Sequence, residues 1–377
     1  MKFSCLQDNL AKGLSLVSRA VAARSTLPVL GNILLTAEEG RLRLSATNLE
    51  LAITCWIGAK IEDEGSITLP AKTLVDLVNT LPQDTVTLSL TARTQTVNLT
   101  CGRIKASIKG IDAQEFPAIR PADIDNAIQL NVEDLRDMIA AVIFAAATDQ
   151  ARPILTGVLA RLEGNRVTLA ASDGFRVAER VAHLSTPVDE PVTAVIPARA
   201  LAELGRIINA EDPVYMDLPP GRGQVIFHHG NVELTSQLIE GTFPAYQNII
   251  PKGYKTRTVV STEEFRKACK SSDIIAREAA HTTRLKVKPG DDDLVPGHVT
   301  ISATAAETGD NMAELDATIE GEPVEIAFNV KYLVDVLNVI DTPNVALETS
   351  ASTSPGVLRP VGRDDYVYVV MPMHLGR

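Results

Sequence analysis

What this chain lacks narrows its function before any motif is read. Aromatic residues make up 4% of the 377 positions, with a single tryptophan, so the stacking platforms of single-strand nucleic-acid binders are missing. The four cysteines, Cys5, Cys55, Cys101 and Cys269, lie far apart with no Cys-x-x-Cys pair. That excludes both a zinc-site pattern and a disulfide framework, and they read as small hydrophobes. No apolar run reaches the roughly 18 residues of a membrane span, and the first residues turn polar too soon for a signal peptide; a cytoplasmic protein is expected. The six histidines show no His-Glu-x-x-His spacing, and no Gly-x-x-x-x-Gly-Lys-Ser/Thr loop occurs. Gly221-Arg222-Gly223 follows Pro219-Pro220 and reads as a turn. No metal, no cofactor and no catalytic residue is therefore expected. A basic excess is absent too: the net charge is −11, which taken alone argues against a phosphate-binding surface.

What is present is a repeat. The length suits two or three domains at roughly 100 to 200 residues each, and 45% hydrophobic residues supply a core for every one. Pro28-Val29-Leu30-Gly31 returns as Pro153-Ile154-Leu155-Thr156-Gly157. Leu42-Arg43-Leu44-Ser45-Ala46-Thr47 returns as Val167-Thr168-Leu169-Ala170-Ala171-Ser172, and again as Val299-Thr300-Ile301-Ser302-Ala303-Thr304. The first two copies are displaced by 125 residues and the third by 257. Leu69-Pro70-Ala71-Lys72 likewise has counterparts at Ile196-Pro197-Ala198-Arg199 and Phe328-Asn329-Val330-Lys331. Repeats of this size are domains rather than solenoid turns, and their expected bounds are 1–122, 128–251 and 255–377, with joints near 121–127 and 251–256 where Pro121, Pro251 and Gly253 fall.

Each copy reads as an opening amphipathic helix, strands, a second helix and more strands, an α+β fold three times over. Leu10, Leu14, Val17 and Val21 share one helical face, as do Leu135, Ile139, Val142 and Ala146. Second helices are predicted over 71–81, 198–209 and 330–340. Period-two alternation predicts strands at Thr85–Leu90 and Val97–Thr100. Asp173-Gly174 between strands predicts a tight turn. Similar domains related by a rotation that closes would make a ring.

Several segments, in order along the whole chain, closely resemble the bacterial DNA polymerase III β subunit, the β sliding clamp. They include Met1-Lys2-Phe3, Arg24-Ser25-Thr26-Leu27-Pro28-Val29-Leu30-Gly31-Asn32, Ala171-Ser172-Asp173-Gly174-Phe175-Arg176, Gly241-Thr242-Phe243-Pro244-Ala245-Tyr246, Phe328-Asn329-Val330-Lys331-Tyr332-Leu333 and Tyr368-Val369-Val370-Met371-Pro372-Met373. The resemblance implies three clamp domains, each two helices packed on sheets, and a head-to-tail homodimeric ring with helices lining the channel. It implies a non-catalytic processivity factor for the replicative polymerase that encircles duplex DNA without sequence preference. A ring also accommodates the acidic charge, because linkage that is topological needs only a few basic residues and avoids the tight, salt-dependent grip of phosphate neutralisation.

The same resemblance implies three kinds of contact. Arg24, Lys72, Gln150, Arg152 and Arg199 would touch DNA, beside further helix cations such as Lys12, Arg19, Arg136, Arg206, Lys267, Lys270 and Lys331. A groove for short peptide motifs of the polymerase III catalytic subunit, the clamp loader, other polymerases and repair proteins would use Leu155, Ser172, Gly174, Phe175, Arg176, Val177, Pro244, Ile249, Asn329, Tyr332, Val369, Val370, Met371, Pro372 and Met373, with Arg176 and Asn329 fixing a backbone or carboxylate. Ala106 and Ile108 would face Ile274 and Ile275 of a second copy. Phe175, His374 and the terminal Gly376-Arg377 depart from the family pattern, which affects peptide preference. Two other readings fit the repeat: a protein-binding scaffold without DNA, and an enzyme with Asp173 and Arg176 at an interdomain cleft.

Overall fold

The computed structural model describes residues 1–38, 40–209, 212–290 and 296–374. The chain divides into two compact units, 1–133 with 199–238, and 134–198 with 239–377. Three sheets and six α-helices account for most of the described residues.

The first unit holds two antiparallel sheets. A five-stranded sheet runs, in spatial order, Lys60–Asp63, Lys2–Leu6, Thr85–Thr91, Thr96–Cys101 and Ile104–Lys109. An eight-stranded sheet runs Ile128–Leu130, Val214–Asp217, Gln224–His229, Val232–Gln237, Leu51–Gly58, Arg41–Thr47, Asn32–Glu38 and Gly65–Pro70. The second sheet therefore crosses a repeat boundary: Val232 pairs with Cys55 and Ser236 with Leu51. Helix α1 (Gln7–Val17) packs Leu10, Gly13, Leu14 and Val17 inward. Gly13 is required by close approach, since a Cβ there would lie 2.8 Å from the Leu44 side chain and 3.1 Å from Ile57. Helix α2 (Ala71–Asn79) buries Ala71, Leu74 and Val78.

The segment 121–127, expected as a joint, is pinned. The buried carboxylate of Glu233 accepts from Ala122 N–H at 3.3 Å, and that of Asp217 accepts from Asp123 N–H at 2.9 Å. Buried carboxylates need such donors, so the strap and the sheet beneath it stabilise each other.

The second unit carries the third sheet, ten strands in the order Gly157–Ser172, Arg176–Pro197, Tyr366–Val370, Gly356–Pro360, Asn344–Thr349, Thr256–Ser261, Gly309–Gly321, Gly297–Ala305, Thr282–Lys288 and Val324–Asn329. It too crosses a repeat boundary, with Arg176 opposite Val370 and Arg180 opposite Tyr366. Helix α3 (Val132–Val142) opens the second repeat and α4 (Ala198–Ile207) is its second helix. Helices α5 (Thr262–Ala276) and α6 (Val330–Leu337) pack together in the third repeat. Ser261 caps α5 by accepting from Glu264 N–H, and Asn329 caps α6 by accepting from Lys331 N–H, each satisfying a donor that the first helical turn leaves free.

The repeat holds at the level of hydrogen bonds. Pro28–Gly31 and Pro153–Thr156 both form a short 3-10 turn led by proline, and Ala22 N–H donates to Leu30 O as Ala147 N–H donates to Leu155 O. The apolar stripes overrun the helices, however. Val21 is extended, following a 3-10 turn at Ser18–Ala20, and Ala146 is extended after Ile143–Ala145. Hydrophobic spacing persists past a helix end because the following turn still covers the core. The second helices stop at Asn79, Ile207 and Leu337, short of the expected 81, 209 and 340, while Leu81, Ile208 and Ile340 stay buried.

Candidate functional site

In the second unit the turn 173–175 joins two long strands, and its backbone is defined by its own side chains. Asp173 Oδ1 accepts from Phe175 N–H at 2.9 Å and Arg176 N–H at 3.1 Å. Ser172 Oγ accepts from Gly174 N–H and donates to Arg176 O. Gly174 sits at φ 93°, and a Cβ would come within 2.8 Å of two nitrogens of Arg152. The strand that follows pairs with Tyr366–Val370, and Met371 N–H donates to Phe175 O at 2.8 Å. Met373 N–H donates to Ala327 O, tying the chain's end to the sheet.

The expected groove residues separate into two populations. Leu155, Val177 and Val369 belong to one buried cluster with Phe243, Tyr246 and Val357, and Ser172 and Val370 are buried as well. These form a floor. Phe175 at 59% exposure, Ile249 at 45% and Met371 at 39% are large apolar side chains left in solvent, with Pro244 and Gly174 also exposed. Pro372, Met373, Asn329 and Tyr332 are half-buried. An adaptable apolar surface containing methionine, over a rigid floor, suits extended peptide side chains.

Arg176, expected to fix a ligand, is engaged within its own unit. Its side chain is 9% exposed and donates to Asp173 at 3.0 Å, Asp335 at 2.6 Å and Phe144 O at 2.6 Å, while its Cζ lies 4.3 Å from the centroid of the Tyr332 ring. Burial alone would lower its pKa, but Tyr368, Asp335 and Asp173 outweigh this and the net direction is upward. The group is a positioning cation that joins the 173–175 turn to α6. Asn329 Oδ1 is likewise engaged as the α6 cap. Tyr368 OH donates to Tyr332 O, and Tyr366 OH to Ala141 O, completing the same junction. Sequence reading missed Phe144, Asp335 and Tyr368 in this node; the signal was a buried-type position carrying arginine.

Of the expected DNA contacts, Arg24, Lys72 and Arg199 are exposed in the first unit, as are Gln150 and Arg152 in the second. Arg24 and Lys72 make no ion pair among the described residues, nor does Arg199. By contrast Lys12 pairs with Asp8, Arg19 and Arg206 with Glu203, and Lys267 with Glu263. Arg152 donates to Asp173 O at 2.8 Å, so the turn at 150–152 also braces the turn at 173–175.

At the expected subunit contact, Ile274 is 64% exposed and Ile275 half-buried. Ala106 is half-buried, but Ile108 is 6% exposed, packed within its own unit. Ile104, on the same strand, and Met312 are among the exposed apolar residues that sequence reading passed over. His374 is exposed, and Gly376-Arg377 lies outside the described residues. Among the described residues no cluster of three or more metal-ligating side chains occurs, and no helix is long and apolar enough to cross a membrane.

Comparison with known proteins covers nearly the whole chain. Residues 1–120 match the model of the DNA polymerase III beta subunit N-terminal domain, 129–245 its central domain and 247–374 its C-terminal domain. The chain is 35% identical to the beta sliding clamp of Synechococcus elongatus, with all of both chains covered, and 33% identical to that of Staphylococcus aureus, with 99% of each covered. Its structure is similar to the crystal structure of the DNA polymerase sliding clamp from Bacillus subtilis, with TM-score 0.94 at 29% identity, and to the DNA polymerase III subunit beta from Pseudomonas aeruginosa, with TM-score 0.92 at 29% identity. All of each chain is covered in both cases.

Proposed function

The chain belongs to the DNA polymerase III β-subunit family of sliding clamps, and from that membership we propose that two copies close head to tail into a ring around duplex DNA. The family is non-catalytic, a processivity factor in DNA replication built from three mixed helix-and-sheet clamp domains. In this chain we assign those domains to 1–122, 128–251 and 255–377.

Sheet continuity is the observation that carries the ring. Leu51–Gly58 of the first repeat pairs with Val232–Gln237 of the second, and Arg176–Arg180 of the second pairs with Tyr366–Val370 of the third. The corresponding strands at the chain's extremes are open. Ile104–Lys109 ends its sheet, and among the described residues 309–316 are paired on one side only. Exposed strand edges recruit further strands. Cys55, Arg180 and Ala313 occupy the same place opposite Leu44, Leu169 and Ile301, while Ile104 follows its hairpin from Cys101 as Val232 follows from His229. Closure in the same register sets Ile104 against Ala313 of the partner subunit, and covers Ile104, Ile274 and Met312.

Arg24, Lys72, Arg199, Gln150 and Arg152 would then touch DNA through its backbone, without base readout. Phe175, Ile249 and Met371 would receive leucine- or phenylalanine-containing peptide tails of the polymerase catalytic subunit, the clamp loader, other polymerases and repair proteins. Loading requires another protein, because the sequence contains no nucleotide-binding loop. Cytoplasmic residence accords with this role.

The decisive experiment incubates the protein with a bacterial clamp loader, ATP, and either circular or linearised duplex DNA, followed by gel filtration. Retention on circles with loss from linear DNA is the expected result. Equal retention on both, or none on either with an active loader, would replace the clamp reading with that of a scaffold or an enzyme.

A further inference from the structure

The turn 48–50 occupies, in the first repeat, the place of the turn 173–175 in the second. Its hydrogen bonds are the same: Asn48 Oδ1 accepts from Glu50 and Leu51 N–H, and Thr47 Oγ1 accepts from Leu49 N–H and donates to Leu51 O. The residue at the left-handed position is not glycine, however. Leu49 is held at φ 77° with 51% of its surface in solvent. A branched side chain disfavours this conformation, and exposure of leucine recovers nothing for the fold. Strain of this kind, imposed by a rigid turn, concentrates where a surface binds something.

Leu49 lies at a cleft of about 200 Å³ lined also by Ala52, Pro117, Ile119, Arg120 and Arg222. Pro117 to Arg120 belong to the segment that leads into the strap pinned by Glu233 and Asp217. Arg120 and Arg222 are exposed and make no ion pair among the described residues, and the lining holds one carboxylate, Glu50. Two guanidinium groups without an ion pair among the described residues line it beside Leu49 and Ile119, with Thr47, Gln224, Thr235 and Gln237 as polar neighbours, in a chain of net charge −11. The complement is an anionic ligand with an aliphatic side chain. No aromatic side chain lines this cleft, so base stacking is not available, and a peptide fits better than a nucleic acid.

We propose that this cleft is a second docking site for an acidic peptide segment of a partner protein, with Leu49 and Ile119 contacting an aliphatic side chain and Arg120 and Arg222 its flanking carboxylates. The site does not depend on the groove at Phe175 and Met371.

The test uses the full chain and a fluorescein-labelled peptide, acetyl-Glu-Asp-Leu-Glu-Asp-Ile-Glu amide, against the same peptide with every acid replaced by its amide, read by anisotropy. The acidic peptide should bind about tenfold or more tightly than the neutral one. Arg120→Ala with Arg222→Ala should remove about tenfold of that affinity. Leu49→Gly should weaken binding about threefold or more without lowering the thermal midpoint, which separates a binding role from a structural one. Phe175→Ala with Met371→Ala should leave acidic-peptide binding unchanged, so failure of the groove and failure of this cleft give different patterns. Equal binding of the two peptides, insensitivity to the arginine pair, or displacement by a short oligothymidylate would overturn the assignment.

Discussion

The junction between the first and second repeats and that between the second and third share a backbone and differ in where they put a cation. In each, a strand from one repeat continues the sheet of the next, after a turn with the same side-chain hydrogen bonds. By the repeat spacing, Asp335 of α6 corresponds to Glu203 of α4, Phe144 to Arg19, and Arg176 to Leu51. At the first junction the acid is met by Arg19 from the 3-10 turn that follows α1, at 3.2 Å and with 39% of the arginine side chain exposed. At the second it is met by Arg176 from the turn, at 2.6 Å and 9% exposed, with Phe144 and Tyr332 around it. One acidic position is thus served by two different elements. Moving the guanidinium inward locks the 173–175 turn to α6 and leaves Phe175 and Met371 as the exposed surface.

The comparison breaks most visibly at Arg176. Arg176→Ala leaves Asp173 and Asp335 without their cation, and should cost about 3–5 kcal/mol, whereas Arg19→Ala should cost less than about 1 kcal/mol because water screens that pair. Urea midpoints of the two variants check this; equal shifts would refute the distinction. Exchanging the left-handed residues is the next largest effect. Gly174→Leu should lose about 2 kcal/mol, from a left-handed penalty of about 1–2 kcal/mol and displacement of Arg152. Leu49→Gly should be neutral or gain less than about 1 kcal/mol, since relief of strain is offset by the flexibility of glycine. Thermal midpoints, read side by side, report the asymmetry.

Surface substitutions sharpen the functional half. Phe175→Ala with Met371→Ala should change stability by no more than about 0.5 kcal/mol and weaken a polymerase-tail peptide by about 2 kcal/mol, measured by calorimetry. Leu155→Ala is a poorer probe, because Leu155 is core and its loss costs about 2–5 kcal/mol.

A further dependence is on pH. Burial pushes the Cys5 thiol up to about 12 and the Cys55 thiol up to about 11, while in the unfolded chain both ionise near about 8.5. The folded state then binds the protons more tightly, so stability falls as pH rises above about 9. Urea midpoints at pH 8 and pH 10 should differ in that direction, and Cys5→Ser with Cys55→Ser should reduce the dependence, the remainder coming from Cys101 and Cys269, whose thiols burial also raises.

The threefold repeat and the order of helices and strands were legible from residue pattern and resemblance; that Phe175 and Met371 are exposed while Leu155 and Val177 are buried was not. Helix ends were not, because hydrophobic spacing at Val21 and Ala146 continues into turns that cover the same core. The engagement of Arg176 was not legible either. Its partners Phe144 and Asp335 lie 32 and 159 residues away, and a side chain's freedom to bind a ligand depends on who reaches it first. Ile108 shows the same limit, since alternation along Ile104–Lys109 does not tell which end of the strand its own unit covers.

Local physics therefore determined from sequence alone what depends on neighbours within a turn or a strand: amphipathic faces, strand alternation, the tight turn at Asp173-Gly174, and the repetition of faces and strands. Tertiary structure alone decided which strand edges are satisfied across repeats and which cations are used up by distant acids. Pairing and ion-pair formation are set by distances between segments far apart in the chain, and no local pattern encodes those distances.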